Sequence, residues 1–459
     1  MTAASPQLRF DPAPDAWESL VRRGPIPSFA RTFREQMGMV SDAPIVLSGH
    51  QAELWHPGIL AKHLAAEAVA ARVGGVSAWI VVDHDVPHEL ALRIPARDAE
   101  GRLVRKKLAL LAEIDATRAT GWIAPSASPS WSAADAALPA LGARVDAIRA
   151  ALDAAKGEKN WAAQVTAATQ QLLPAGLPRL TPVFATRLQQ TDLFRAAVRA
   201  MATDAAGAIA SYNDAARLAP DAELRPLDGT KGELPLWRID ARGTRRRVLA
   251  AELSGAPTDS AAFDGLMPRA LLMTALLRVA GCDLFIHGVG GFVYDRAMEQ
   301  WHRSWLANAL KPVTGGGAEL APMVLASATL RLPLEAKGVP EPGAIRAAVW
   351  RAHHARHDPG DASVGDAATA ARKRELVAMI DARKKRGESS AAEFRALHDL
   401  LAAHRQKHAR ALDALANAAA SLRAQSAQAS VIDDRTWSFA LQEPGAIVRL
   451  YEAVCAAFR

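Results

Sequence analysis

Two short apolar runs, one helix's length apart, dominate the hydrophobic pattern of this 459-residue chain. Ile45-Val46-Leu47 gives way to Ser48-Gly49-His50-Gln51, and Ala78-Trp79-Ile80-Val81-Val82 stops at Asp83-His84-Asp85. Residues 59–73 between them have helical character, so the stretch predicts a β-α-β unit. In an open parallel sheet the ligand crevice lies beyond the carboxyl ends of the strands, so both polar clusters would face it. A related pattern returns late in the chain: a helix over 268–279 with Pro268 in its first turn, a strand Asp283-Leu284-Phe285-Ile286, then His287-Gly288-Val289-Gly290-Gly291 opening a helix through Trp301. A glycine-rich turn before a helix lets backbone N–H groups approach an anion, and it is equally a tight turn with no ligand.

Elsewhere helix and strand patterns alternate. Residues 16–39 read as helical with an interruption at Gly24-Pro25-Ile26-Pro27. Residues 90–94 and 103–111 alternate apolar and polar positions, predicting a small antiparallel sheet. Helices are expected over 133–155, 161–173 and 189–218, a strand over 180–185, and a hairpin of 234–239 with 246–253 through Arg242-Gly243. From Ala367 the chain is long-helical and charged. It breaks at Arg386-Gly387-Glu388-Ser389 and restarts at Ser390-Ala391-Ala392-Glu393, a capping box. Phe394, Leu397, Leu401, His408, Leu412 and Leu415 carry the second helix to about residue 428, which predicts an antiparallel helical hairpin. The tail from Val431 includes Trp437-Ser438-Phe439-Ala440-Leu441, apolar enough to dock on the body. The expected organisation is an α/β core in two halves, 1–97 and 262–365, around a connecting insertion, 98–261, followed by the hairpin, 366–430, and the tail, 431–459.

Half of the residues are hydrophobic, so a sizeable core can form. Cys282 and Cys455 match no metal or redox spacing, which argues against a disulfide framework and for a reducing cytoplasm. No apolar run predicts a membrane span, and the first residues, with Arg9, Asp11 and Asp15, do not read as an export signal. The net charge of +7 raises nucleic acid as a partner. Residues 372–410, however, hold eleven Lys and Arg against five Asp and Glu, so the excess sits on one helical stretch, where a solvated face explains it. Small-molecule substrates are therefore expected rather than nucleic acid, with the hairpin a candidate surface for a homodimer.

Six of the thirteen histidines, His50, His56, His63, His84, His88 and His287, gather in these blocks. Neutral imidazole moves protons near neutral pH, and imidazolium stabilises phosphate or carboxylate charge. On an extended strand His84 points opposite to Asp83 and Asp85, so one face offers two carboxylates and the other an imidazole. Asp83, His84, Asp85 and His88 are also zinc-type ligands. Pro87 prevents a regular helix from aligning His84 with His88, so no metal is expected, and His63 and His88 read as structural. A Walker run and a Gly-x-Ser-x-Gly elbow are absent, and Gly288-x-Gly290 lacks the third glycine of a dinucleotide fingerprint.

Ser48-Gly49-His50-Gln51-Ala52, Asp83-His84-Asp85, Leu266-Met267-Pro268 and the block from Phe285 to Tyr294 occur in the same order as in the cysteine ligase family of bacillithiol biosynthesis. The chain resembles that family over nearly its whole length, the long C-terminal helical hairpin included. The resemblance implies a Rossmann-like, nucleotidyltransferase-type core with a connecting insertion and a coiled-coil arm. It also implies a reaction that joins the carboxyl group of cysteine to the amine of a glucosaminyl malate with loss of water. That condensation is uphill, so ATP or another adenine nucleotide is implied, most simply through an acyl-adenylate, together with a phosphate-binding surface and a group that deprotonates the amine. Gly49 and Gln51 match the first block, where the family usually carries Gln at the position of His50. Asp83, His84 and Asp85 match the second. Gly288, Gly290 and Tyr294 match the glycine-rich block, in which His287 replaces a glycine and Gly291 an acidic residue, while Met273 stands where an arginine is usual. His56-Pro57-Gly58 is similar to part of the His-x-Gly-His signature of nucleotidyltransferases.

The expected function is accordingly a carbon–nitrogen ligase that forms an amide between an amino-acid carboxyl and an amino-sugar amine, with a substrate open to change. Asp83, His84 and Asp85 are the expected catalytic residues, His84 being the general base. Gly49, His50, Gln51, His56, Gly58, His287, Gly288, Gly290 and Tyr294 form the expected substrate or nucleotide site. Loss of the acidic residue and the arginine favours the alternative, a catalytically silent relative that acts as a binding or scaffold protein through its basic hairpin. The ligase reading requires one pocket lined by His50, His84 and His287.

Overall fold

Strands covered on both faces read as continuous apolar runs, and that is how the central strands of this chain are built. The structure, a computed structural model, describes residues 5–39, 42–87, 89–111, 117–127, 131, 138–255, 261–269, 271–334 and 342–459. His88 lies outside the described residues, as does part of the stretch expected to be helical over 133–155. The strands are β1 (Gln7–Asp11), β2 (Ile45–Gln51), β3 (Val76–Val82), β4 (Ala91–Arg97), β5 (Leu103–Ala109), β6 (Pro182–Phe184), β7 (Glu233–Ile239), β8 (Arg245–Leu249), β9 (Leu266–Pro268), β10 (Leu284–His287) and β11 (Met323–Thr329). Six of them form one sheet in the order β1-β11-β10-β2-β3-β6. All neighbours in it run parallel except β1, which pairs antiparallel with β11. The fold is thus mixed α/β with a mostly parallel central sheet. β6, from within the 98–261 stretch, is an edge strand of that sheet. The remaining strands form a β4-β5 pair and a three-stranded β8-β7-β9 sheet.

The chain divides into two compact units. The larger comprises 1–96, 105–333 and 435–459 and carries the six-stranded sheet. Its helices are α1 (Trp17–Leu20), α2 (Ser28–Met37), α3 (Pro57–Val73), α4 (Pro139–Ala154), α5 (Trp161–Leu172), α6 (Asp192–Thr203), α7 (Ala205–Leu218), α8 (Leu271–Leu276), α9 (Val289–Trp301), the short turns α10 (Ala307–Ala309) and α11 (Lys311–Thr314), and the terminal α16 (Pro444–Ala457). Alternation along the strands sends Ile45, Leu47, Ile80 and Val82 into one core with residues of α2 and α6 to α9. α3 covers the opposite face and is itself covered by α16, so its alanine-rich sequence is buried nearly all round. Pro57 starts it, His56 caps it by accepting a hydrogen bond from Gly58 N on Nδ1 (3.1 Å), and Gly74 ends it at φ +64°. The tail docks in the same unit: Phe439 N donates to Trp55 O (2.7 Å) and the Gln442 amide to Leu330 O (3.1 Å). Cys282, just ahead of β10, is fully buried, and burial pushes its thiol up to about 12; Cys455 on α16 is partly exposed, and both are free thiols.

The smaller unit, 97–104 with 334–434, is helical: α12 (Pro342–His354), α13 (Ala367–Lys385), α14 (Ala391–Lys407) and α15 (Ala409–Ile432). α13 packs on α14 and α12 on α15, so the expected two-helix hairpin is one part of a four-helix arrangement. Its second helix is broken at His408 (φ −107°, ψ 19°). Ser390 does not cap α14 through its side chain, because its ψ of 20° lacks the extended geometry from which a cap reaches the first turn. Pro268 closes β9 rather than opening a helix, and Gly290 and Gly291 lie within the first turn of α9 rather than in a loop before it. No described helix is long and apolar enough to cross a membrane.

A buried ion pair ties α2 to the sheet. Arg34 lies 2.9 Å from Asp283, its Nε donates to Ala280 O (3.1 Å), and the second Asp283 oxygen accepts from Ile45 N (2.8 Å). Removing one partner leaves the other charge buried and unpaired. Arg34→Met is expected to destabilise the protein by about 3–5 kcal/mol, read as a lower urea midpoint at unchanged slope.

Candidate functional site

The chain winds outward from β2 in both directions, through β3 and β6 on one side and β10 and β11 on the other. Such a reversal opens a crevice at the carboxyl ends of the two central strands. β2 and β10 are in register only at Val46↔Leu284 and Leu47↔Phe285. Ser48 Oγ then donates to Ile286 O (2.8 Å), and past that point a cleft of about 390 Å³ opens. Gly49, His50 and Gln51 of β2 line it, with His56, Gly58 and Lys62 around the start of α3, His287 at the end of β10, Gly288 and Gly290 at the start of α9, and Arg435 from the C-terminal segment. Its apolar wall includes Ile59, Val82, Leu277 and Phe285.

The polar lining is mostly basic. Lys62 donates from Nζ to Gly49 O (2.6 Å) and stands 5.2 Å from the centre of the Trp79 ring. Burial brings its pKa down from 10.5 to about 7, so its neutral form is populated at neutral pH. Burial first, then the neighbouring His50 and Arg435, lower His56 to about 4. With Nδ1 spent on the helix cap, the neutral His56 ring carries its proton on Nε2 as a donor. His50 Nε2 lies 2.8 Å from Glu53. His287 Nε2 stands 3.2 Å from the buried Asp295, which also holds Arg278 (2.6 Å). At the start of α9 no side chain caps the helix, and a Cβ on Gly290 would meet open space. The first-turn N–H groups there favour an anion.

Eight of the nine residues expected to bind substrate or nucleotide line this cleft; Tyr294 instead packs, partly buried, against the core, and burial raises its pKa. Asp83, His84 and Asp85 are not among its lining residues. Asp83 is buried and accepts from Thr186 N (2.9 Å) and Thr186 Oγ1 (2.7 Å), which fastens the end of β3 to the turn after β6. Burial raises its pKa. Asp85 pairs with Arg245 of β8, whose guanidinium covers the Trp237 ring. His84 is buried, hydrogen-bonds the backbone of Pro268, has no partner for Nδ1, and is held below the usual imidazole range by burial. The cleft therefore brings His50 and His287 together without His84. His63 packs edge-on against Trp79 and bonds Pro178 O (3.1 Å).

Some glycines answer to packing. A Cβ on Gly49 would press on Ile80 O of β3 (2.5 Å), and one on Gly58 would crowd Ser327 Oγ (2.9 Å). A Cβ on Gly291 would collide with His287 Nδ1. Sequence reasoning missed Lys62, Asp295 and Arg435. The signal for Lys62 was there: it is the one Lys or Arg in the mostly apolar run from Ile59 to Ala66. The chain matches no protein-family model and no curated protein.

Two measurements probe this geometry. The unfolded chain binds the Lys62 proton up to about 10.5 and the folded one only to about 7, so the cost of burying the charge is full below pH 7 and fades as pH rises to 10.5. Lys62→Met is expected to melt above the parent at pH 6, with the gap closing toward pH 10 in thermal denaturation. For the glycine, Gly291→Ala is expected to destabilise, and the pair His287→Gly with Gly291→Ala to recover part of the loss, seen as a coupling of about 0.5–3 kcal/mol in a double-mutant cycle.

Proposed function

We propose that the cleft between β2 and β10 is the active site of a cysteine-ligase-like enzyme, on a Rossmann-like, nucleotidyltransferase-type core, that joins an amino-acid carboxyl to an amine. The observation that carries this reading is Lys62, a buried amine with a pKa near 7 in the wall of an otherwise basic cleft that ends on an uncapped helix. A general base works best when its pKa lies near the operating pH. In this reading the amine proton goes to Lys62 as the carbon–nitrogen bond forms, so the pocket expected to join His50, His84 and His287 works without His84, to which the resemblance alone would give the task.

The cleft suits an anionic group. Open space at Gly290 faces the first turn of α9, with Arg435 and the Nε2–H of His56 as further donors on the lining. Glu53 is held by His50 rather than left to repel an anion. A bound adenine nucleotide would supply activation of the carboxyl. The chain itself binds the anionic oxygens, takes the amine proton, and keeps water out with Ile59, Val82, Leu277 and Phe285. At about 390 Å³ the cleft is near the lower end of small-molecule sites, about 300–1,000 Å³. It accommodates the reacting ends of the ligands rather than a whole nucleotide and acceptor together.

Two departures from the family pattern compensate each other. The His287 imidazole fills the space that a side chain at Gly291 would enter, so a glycine-to-histidine change and loss of the acidic residue fit as one exchange. Met273 lines the cleft where an arginine is usual, and Arg435 supplies a guanidinium from another segment.

The test is ligand-dependent melting of the full chain with ATP, cysteine, malate and amino sugars, singly and together. A ligand at about 100 times its Kd should stabilise the fold by about 2.7 kcal/mol. An amide product detected by mass spectrometry, and lost in Lys62→Met but not in His84→Gln, is the expected result. Absence of both stabilisation and product, or full turnover by Lys62→Met, refutes the proposal.

A further inference from the structure

The smaller unit carries a cluster unrelated to the cleft. Asp366 precedes α13 and caps it, its Oδ1 accepting from Thr369 N (3.1 Å). Its other oxygen faces α14, where it accepts from Lys407 Nζ (2.9 Å) and meets His408 Nε2 (3.0 Å). One turn earlier on the same helical face is His404, 1% exposed. One donor atom from each of Asp366, His404 and His408 lies within 4.8 Å of the others.

His404 is the decisive residue. Its Nε2 is 3.0 Å from Ala355 O, and a carbonyl can only accept, so Nε2 carries the ring proton. Nδ1 therefore presents a bare lone pair, buried and without a hydrogen-bond partner. Burying an acceptor with nothing to accept is costly. A metal-ligating histidine has this arrangement, with one nitrogen on the ion and the other donating to a backbone carbonyl that fixes the tautomer.

We propose that Asp366, His404 and His408 form a binding site for a divalent transition metal of the zinc type. Imidazole and carboxylate are its usual nitrogen and oxygen ligands, and three protein ligands leave one tetrahedral position open to water or another ligand. The donors need to draw together, since metal–ligand bonds are about 2.0–2.2 Å. The Lys407 ammonium occupies the carboxylate in the metal-free protein, and its exposed side chain can swing into solvent as the cation enters. His408 Nε2, which donates to the carboxylate, becomes a ligand once that proton moves to Nδ1 or is released to solvent as the cation enters.

Cobalt(II) titration of the full chain, followed by visible d–d absorption and reversed by zinc, tests the site. One equivalent bound with a tetrahedral spectrum is expected. Asp366→Asn keeps a side chain able to cap α13, and His404→Gln keeps a polar group of similar size; each should weaken cobalt binding about tenfold or more, with helix content unchanged by circular dichroism. Lys407→Met should tighten it by removing the competing cation. No tetrahedral spectrum in the parent protein, or parent-like affinity in both Asp366→Asn and His404→Gln, overturns the assignment.

Discussion

The two halves of the sheet meet along a short seam, two residue pairs, Val46↔Leu284 and Leu47↔Phe285, with Asp283 bonded to Ile45 before them and Ser48 to Ile286 after them. Parallel strands that wind away from a common centre leave their carboxyl ends unroofed, because each crossover helix descends on its own side. The reversal converts a short ladder into a cleft, and the same break frees the N-terminus of α9 to face it. Nothing in the cleft needs to be strained into place. Its position follows from where the winding changes direction.

Charge is buried around this seam with unequal compensation. Arg34 and Asp283 are matched, and Arg278 is held between Asp295 and Glu299. Such pairs hold geometry at a desolvation cost that their attraction roughly repays. Lys62 has a carbonyl and a ring face instead of a carboxylate. Matched charges stay charged and act as braces; an unmatched one loses its proton readily and becomes available for chemistry.

The β-α-β unit was legible because both strands are buried on two faces and the helix between them carries a cap and a glycine stop. The hairpin around Gly243, the helix over 161–173 and the docking tail were legible for similar local reasons, whereas the helix expected over 189–218 is two, α6 and α7, parted at Asp204, whose side chain caps the second. The edge strand β1 was not, since an exposed strand with half-buried residues carries little hydrophobic signal. The three-residue β6 was only partly so. Within the site, the glycine and histidine blocks came together as read, because strand ends at a winding reversal must meet. Asp83-His84-Asp85 reads identically whether its side chains face a cleft or bind neighbouring backbone, and here Thr186, Pro268 and Arg245 claim them. The break at His408 was hidden because leucines continue at helical spacing on both sides of it.

The two thiols divide the molecule's chemistry by depth. Cys282 is sealed in the core beside the root of β10, whereas Cys455 rides on the outer helix that covers α3. An alkylating reagent thus meets one sulfur in the closed molecule and a second only when the interior around β10 comes apart. Counting labelled sulfurs per chain is a way of counting core openings, with no probe added to the protein.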